Sequence, residues 1–387
     1  MKSPIYMDHH ATTPVDADVL RAMLPYFSDI FGNPASRTHA YGWRANEAVE
    51  QARQSVADLI GATAREIVFT SGATEANNLA ILGVCEAYGQ SKPIHIITQA
   101  TEHKSVLDPC TVAQSRGHRV TVLPVDRMGR VSPDTLADAF CDDTVLVSMM
   151  LVNNEVGTMQ DIAAIGRLCK TRGVLLHTDA TQAVGIMPVH VDTLGIALLS
   201  MSAHKIYGPK GIGALYVRRR DPRVTLAPQI HGGGHENGLR SGTLNVPGIV
   251  GLGVACILAK QRLHEACEIA RLRNLLETRI RAALPGVIRY GDPEQCHPGN
   301  LCLGFDGVNG ETLVLALQGV ALSTGSACTN RDLAPSHVLT AMGVGNRASS
   351  GNLRFGLGRG NTEEEVLAVA DMVIAQVTSL RRLGGRS

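Results

Sequence analysis

Aromatic side chains make up only 4% of the 387 residues, with a single tryptophan, and no run of about 18 uninterrupted apolar residues occurs. A membrane-spanning helix is therefore not expected. Charge of one sign is equally scarce: 36 Lys and Arg against 35 Asp and Glu leave a net charge of +1, which offers neither nucleic acid nor an anionic membrane a surface to bind. Nine cysteines lack the dense spacing of a secreted disulfide framework and read as mostly free thiols. The opening stretch MKSPIYMDHHATTP has no apolar core behind its lysine, so no secretory signal is read there and a cytoplasmic protein is expected. Internal repeats, low-complexity tracts and charge blocks are missing too. What is present is a composition with 40 glycines and 14 histidines, which suits a loop-rich α/β enzyme acting on a small molecule or another protein.

From residue 66 onward, short β-branched runs alternate with helical patterns: EIVFT before SGATEANNLAILGVCEAYG, IHIIT before HKSVLDPCTVAQSRG, RVTVLPV before SPDTLADAF, then TVLVSMML, VLLHTDA and ALLSMS. Apolar strands separated by amphipathic helices predict βαβ units and a largely parallel sheet. Ahead of them, WRANEAVEQARQSVADLI sets Ala48, Val49, Ala52, Val56, Leu59 and Ile60 on one helical stripe that Gly61 closes. A long helical pattern from Val246 to Leu284 follows the glycine-rich HGGGHENGLRSGT and is expected to bridge two units. Beyond it, GVIRYGD, NLCLGFDG, NLRFGLGRG and a last helix from Thr362 read as a smaller α+β unit. The expected division is a large domain over residues 16–260 and a small domain over 1–15 with 261–387.

Open α/β sheets bind ligands beyond the carboxyl ends of their strands, and polar residues collect there in this sequence. SGATEAN puts Ser71, Gly72, Ala73 and Thr74 at a helix start, where unpaired N–H groups suit a phosphate; ordinary N-capping explains the same residues, and both readings stand at this point. YGPKGIG has neither the spacing nor the hydroxyl of a nucleotide P-loop. Asp179, in HTDATQAVG with Gln182 on the next turn, either caps a helix or faces a cation such as a protonated pyridine nitrogen. A carboxylate at a buried strand end costs several kcal/mol unless a cation meets it. Lys205 is one of only seven lysines and ends the next strand beside Ser202 and His204. It is either a surface lysine in a glycine loop or a desolvated amine suited to imine chemistry. A carboxylate and a lysine on neighbouring strands are the pair that a pyridoxal-phosphate site demands. Cys328, in STGSACTN, is on its own a small residue after a strand.

The order and spacing of ATTP, FGNPASRTHAYGW, TSGATEANNLA, TEHKSV, VNNEVG, DATQ, HKIYGPKG, RSGT, GSACT and LRFGLGR closely resemble the pyridoxal-phosphate-dependent cysteine desulfurases of the NifS/IscS type, a class V aminotransferase family. The blocks run from residue 8 to about residue 360. The resemblance implies aminotransferase fold type I, with a seven-stranded, mostly parallel sheet in the large domain, a smaller α+β domain and a homodimer. It also implies pyridoxal 5'-phosphate as cofactor, L-cysteine as substrate, alanine as product, and delivery of sulfur to an acceptor protein for iron–sulfur cluster assembly or another thiolation pathway.

Position by position, the resemblance implies that Lys205 carries the cofactor as a Schiff base and then serves as a base. Asp179 pairs with the pyridine nitrogen, and His103 stacks on the ring and acts as acid or base. Asn154 and Gln182 bond the phenolic oxygen. The phosphate rests on Ala73, Thr74, Ser202 and His204, with Thr243 reaching in from the partner subunit. Arg354 clamps the substrate carboxylate with help from Asn33. Cys328 takes the sulfur as a persulfide, in a loop whose small neighbours allow it to move. A selenocysteine lyase or related β-lyase on the same scaffold, and a partner-binding protein without catalysis, are the alternatives.

Two departures from the family pattern stand out. His9-His10 occupies a place where relatives often have Tyr-Ser and is expected at the site entrance, and Ala203 replaces a common glycine beside the lysine. Cys85, Cys110, Cys169, Cys256 and Cys267 lie in helical patterns and are expected in the core. Cys141 is undecided, as are Cys296 and Cys302, which with His297 lack a C-x-x-C pair for a metal set. The chain ends at RRLGGRS without the longer extension some relatives use to dock scaffolds, an expectation of a dedicated pathway.

Overall fold

The computed structural model describes residues 4–324, 336–345 and 351–384. Its strands are β1 (Ile5–Tyr6), β2 (Ile67–Thr70), β3 (His95–Gln99), β4 (Arg119–Leu123), β5 (Thr144–Ser148), β6 (Leu175–Asp179), β7 (Leu198–Ser202), β8 (Gly213–Val217), β9 (Val287–Tyr290), β10 (Asn300–Phe305), β11 (Val320–Ala321) and β12 (Asn352–Gly356). Seven of them form one sheet in the order β2-β8-β7-β6-β5-β3-β4. Only β8 runs against its neighbours, pairing antiparallel with β2 and β7; the other pairs are parallel. The reason is visible in the runs themselves: LLHTD and LLSMS are buried at every position, as strands covered on both faces must be. Both end in polar residues, Asp179 and Ser202, so the apolar body of each strand holds a polar group at its carboxyl end.

Helices cover this sheet. Ala40–Ile60 buries the stripe read from the sequence, except that Leu59 is half-buried, and ends at Gly61 in the left-handed region (φ 70°), where a Cβ would be strained. Ala73–Tyr88 follows β2 directly, with Gly72 at its N-cap. Apolar side chains from residues 19 to 256 form two clusters on either side of the sheet. A third cluster gathers Met7 with Ile269 to Val377, built on the antiparallel sheet β12-β10-β9 and the final helix Glu363–Gly384. β1 joins that region by pairing parallel with β11.

One expectation is corrected. The single long helix expected from Val246 to Leu284 is two helices, Val246–Gln261 and Glu265–Ala283, meeting at 77°. The first is apolar on nearly all sides and buried in the large core; the second is amphipathic and packs on the final helix. Two cores cannot both be served by one straight rod, so the chain turns between them. No single helix among the described residues is long and apolar enough to cross a membrane.

Candidate active site

A cavity of about 490 Å³ opens at the carboxyl ends of β6 and β7. Ala73, Thr74, His103, Asn154, Asp179, Gln182, Ser202, His204 and Lys205 all line it, although they come from five separate stretches of chain. Asn33, Thr243 and Arg354 do not. Asn33 is exposed and bonds the Ala35 N–H, and Thr243 is exposed on its own chain. Cys328 lies outside the described residues.

Each wall has a local origin. Gly72 brings no capping side chain to the helix Ala73–Tyr88, so the N–H groups of its first turn face the cavity edge unclaimed by a cap. Asp179 is 6% exposed and accepts from two neutral donors, Asn77 Nδ2 (2.8 Å to Oδ2) and the Thr181 N–H (3.0 Å to Oδ1). Lys205 sits in the short turn Ala203–Lys205 after β7, and its Nζ donates to the carbonyls of His10 and Ala11. The ATTP segment holds that turn in place. Thr13 Oγ1 donates to the His204 carbonyl (3.0 Å) and accepts from the Tyr207 N–H (2.9 Å), while Thr12 Oγ1 meets His204 Nδ1 (3.1 Å). Tyr207 itself takes φ 64°, a left-handed conformation unusual for an aromatic residue, and this bond helps to hold it. Ala203 costs the cavity nothing: its methyl is fully buried against Gly208, where a second Cβ would come within 2.8 Å.

The electrostatics follow burial. Burial lowers His103, against the pull of Asp179, and lowers His204 to about 4, helped by Lys205 and Lys210. His103 caps the helix Lys104–Ser115 through Nδ1, which accepts the Ser105 N–H (3.1 Å). Burial pushes Glu102 up to about 8, with Asp179 adding to the rise; its Oε1 accepts the Met150 N–H (2.5 Å) and its Oε2 has no partner among the described residues.

Several groups here were not legible from the sequence. His10 is on the cavity wall and 2% exposed, not at an entrance. Its Nδ1 meets Gln182 Oε1 (3.0 Å) and its carbonyl accepts Gln182 Nε2 (3.0 Å), so Gln182 is held from both ends. Its ring stands edge-on to His297 at 4.6 Å between centroids. Asn77 and Ser105 join Asp179 to His103 by hydrogen bonds. Arg354 is 1% exposed and already engaged: Nη2 donates to Asp8 Oδ1 (2.8 Å) and Ser323 Oγ (2.9 Å), and Nη1 to the Asn154 carbonyl (3.0 Å). The Asp8–Arg354 pair spans 346 residues of sequence, and no local pattern signals it.

The remaining cysteines separate by burial. Cys85, Cys110, Cys169 and Cys256 are buried as expected, whereas Cys267 is exposed because its helix turns that face to solvent. Cys302 is buried in β10, and Cys296 faces Arg273 and Arg289. Among the described residues, His95, Cys141 and Asp143 bring three ligand-type atoms within 4.8 Å of one another, and Arg119 already bonds both Cys141 and Asp143.

Residues 5–369 match the family described as Aminotransferase class-V. The chain is 52% identical to "Cysteine desulfurase IscS" of Anaeromyxobacter sp. (strain Fw109-5), over 99% of this chain and 95% of that protein. Among solved structures it is similar to "NIFS-LIKE PROTEIN", with a TM-score of 0.90 at 38% identity over 97% of this chain and 100% of the other. It is also similar to "SspA in complex with cysteine", with a TM-score of 0.81 at 37% identity over 91% and 98%.

Proposed function

This chain belongs to the class-V aminotransferase family, in its cysteine desulfurase branch, and from that premise we propose that it is a pyridoxal 5'-phosphate enzyme that converts L-cysteine to L-alanine and passes the sulfur to an acceptor protein through Cys328. The observation that carries the reading is the convergence of Lys205, Asp179, His103 and an uncapped helix N-terminus on one cavity. Residues 16–260 form the cofactor-binding domain, and residues 1–15 with 261–387 form the small domain that carries Cys328.

The chemistry of the donors fits the cofactor. The first-turn N–H groups of Ala73 and Thr74, with Ser202 and His204, suit a phosphate. Asp179 meets only neutral donors in its described bonds, so its charge suits a protonated ring nitrogen, and Asn154 and Gln182 suit the phenolic oxygen. Bound there, the cofactor supplies an electron sink for the carbon next to the substrate nitrogen. Lys205 would hold the cofactor, and its amine would serve as the base for the α-proton of the substrate. Its two carbonyl partners keep Nζ aimed in the resting state. Arg354 and Asn33 bind the substrate carboxylate; for Arg354 this requires the substrate to share or displace Asp8, since both carboxylates seek the same guanidinium fork. The Cys328 thiolate then forms an S–S bond to the substrate sulfur as the C–S bond breaks. The electron pair goes to carbon, which takes a proton to become the methyl group of alanine.

A homodimer accompanies this reading. Leu20, Leu24, Phe27, Phe31, Tyr41 and Trp43 are each 49–64% exposed within residues 20–43, an apolar surface of the kind that a partner covers. Thr243 serves the partner's cavity. The relatives named IscS support iron–sulfur cluster assembly as the destination of the sulfur. Two variants test the whole. Cys328→Ser is expected to bind the cofactor with an unchanged visible band yet lose alanine production under reductant, and Lys205→Ala is expected to lose both Schiff-base absorbance and turnover. Full turnover by Cys328→Ser would overturn sulfur transfer through that thiol.

A further inference from the structure

Behind His103 a chain of hydrogen bonds runs to Asp179. Asn77 Nδ2 donates to Asp179 Oδ2 (2.8 Å) and to Ser105 Oγ (2.8 Å), and Ser105 Oγ lies 2.8 Å from His103 Nδ1. The Asn77 bonds are oriented from the Asp179 end, and the bond to His103 by the Ser105 N–H that donates to the same ring nitrogen. A carboxylate accepts only, so the Asn77 amide must present its NH₂ to Asp179. The second hydrogen of that NH₂ goes to Ser105 Oγ, whose hydroxyl proton is free to point onward to His103 Nδ1 once that nitrogen is an acceptor. The Ser105 N–H also donates to Nδ1 (3.1 Å). Two donors on one ring nitrogen require it to carry a lone pair, so the ring proton is on Nε2, the nitrogen left for the cavity that His103 lines.

The arrangement is held at a cost. Asn77 is fully buried, and its Oδ1 has no hydrogen-bond partner among the described residues. A buried carbonyl without a partner costs stability. A fold that needed only a packed helix would place an apolar residue there.

We infer that Ser105 and Asn77 are positioning residues that lock His103 as a neutral Nε2–H donor, so that it offers a proton to the cavity and does not take one there. The inference rests on the cofactor reading above and narrows the role of His103 from acid or base to donor. A base at the cavity would need its lone pair on Nε2, which would put the ring proton on Nδ1, against two donors. A charged ring would need the same Nδ1 proton. The groups that face His103 do not reverse this. Asp179, from β6, and Asp108, on its own helix, favour the charge; Lys205, after β7, opposes it, as does burial, the largest effect. His337, from the helix His337–Ala341, also lies near and is itself lowered by burial.

The test reads the ring directly. Holoenzyme labelled with ¹⁵N-histidine, with His103 assigned by its loss in His103→Gln, is expected to show an unprotonated Nδ1 and a protonated Nε2 from pH 6 to 8. Ser105→Ala leaves the backbone N–H of residue 105 as the remaining donor to Nδ1, so it is expected to populate the Nδ1–H tautomer or the charged ring in part and to move the titration of His103 up toward the ordinary value near 6.5. Ser105→Thr, which keeps the hydroxyl, is expected to restore the wild-type pattern. Asn77→Ala gives a second route and is expected to release the tautomer in the same direction. A protonated Nδ1 in the wild type, or a Ser105→Ala spectrum identical to it, overturns the inference. Failure of the broader reading would look different: the wild-type protein supplied with pyridoxal 5'-phosphate would then show neither the visible band nor alanine production, whatever the tautomer of His103.

Discussion

Glu102 is a buried carboxyl with one oxygen unpartnered among the described residues, and its burial has a pH signature. The folded chain holds its proton up to about pH 8, whereas the unfolded chain releases it near the ordinary value of about 4.3. Between those values the folded state binds more protons, so stability falls as pH rises through the window. Glutamine has no proton to lose. The melting temperature of Glu102→Gln, measured against wild type at fixed ionic strength, is therefore expected to improve steadily from pH 5 to pH 8; parallel curves would mean that Glu102 is already charged. Residues of this kind were the least legible in the sequence. Lys205 and Asp179 could be picked out because each ends an apolar strand, where a charge is conspicuous. Glu102, Asn77 and Asp8 sit in stretches that read as ordinary loop or helix, and only the three-dimensional neighbours reveal their burial.

At the scale of elements, the segment between β8 and the helix Val246–Gln261 is anchored by one buried ion pair. Glu236 takes φ 50° and Asn237 φ 57°, both left-handed for residues with a Cβ, each costing on the order of 1–3 kcal/mol. Arg53, on the helix Ala40–Ile60, holds Glu236 with two bonds of 2.7 and 2.8 Å, and Glu236 Oε2 also accepts the Phe69 N–H of β2 (2.8 Å). The pair ties the glycine-rich run to the helix and the strand that lead into the cavity. Removing one partner leaves a buried charge, so Glu236→Ala is expected to lose about 3–5 kcal/mol in urea unfolding. The double change Arg53→Met with Glu236→Leu is expected to recover part of it but not all, because the Phe69 N–H stays unpaired. A loss below about 1 kcal/mol for Glu236→Ala would show that solvent reaches the pair. The sequence pattern marked the glycines of this run but not its anchor, since Arg53 reads as one more polar position on an amphipathic helix. The same limit explains the bent helix at Arg262–His264: periodicity reports that residues are helical, while the change of partner from one core to the other leaves no mark in it.

At the scale of the whole molecule, the strand–helix alternation was enough to read a mostly parallel sheet with its site at the strand ends, because a fully buried strand must be continuously apolar. The position of Thr243 is a different matter. It is exposed on its own chain and does not line its own cavity, and residues 20–43 carry an exposed apolar surface. If each cavity is completed by the Thr243 of the other subunit, two inactive variants must rescue one another. In a dimer of one Lys205→Ala chain and one Thr243→Ala chain, the cavity of the second chain has its own Lys205 and receives Thr243 from the first. That site is intact, and the other carries both defects. Random reassembly of an equal mixture makes half of the dimers mixed, with one intact site of two, so activity is expected to return to about a quarter of wild type. Were Thr243 to serve its own chain, every site in the mixed dimer would carry one defect and the mixture would stay as inactive as its parents. Phe27→Asp with Phe31→Asp adds the control: sedimentation is expected to show monomers, and the same mixture made in that background is expected to regain nothing.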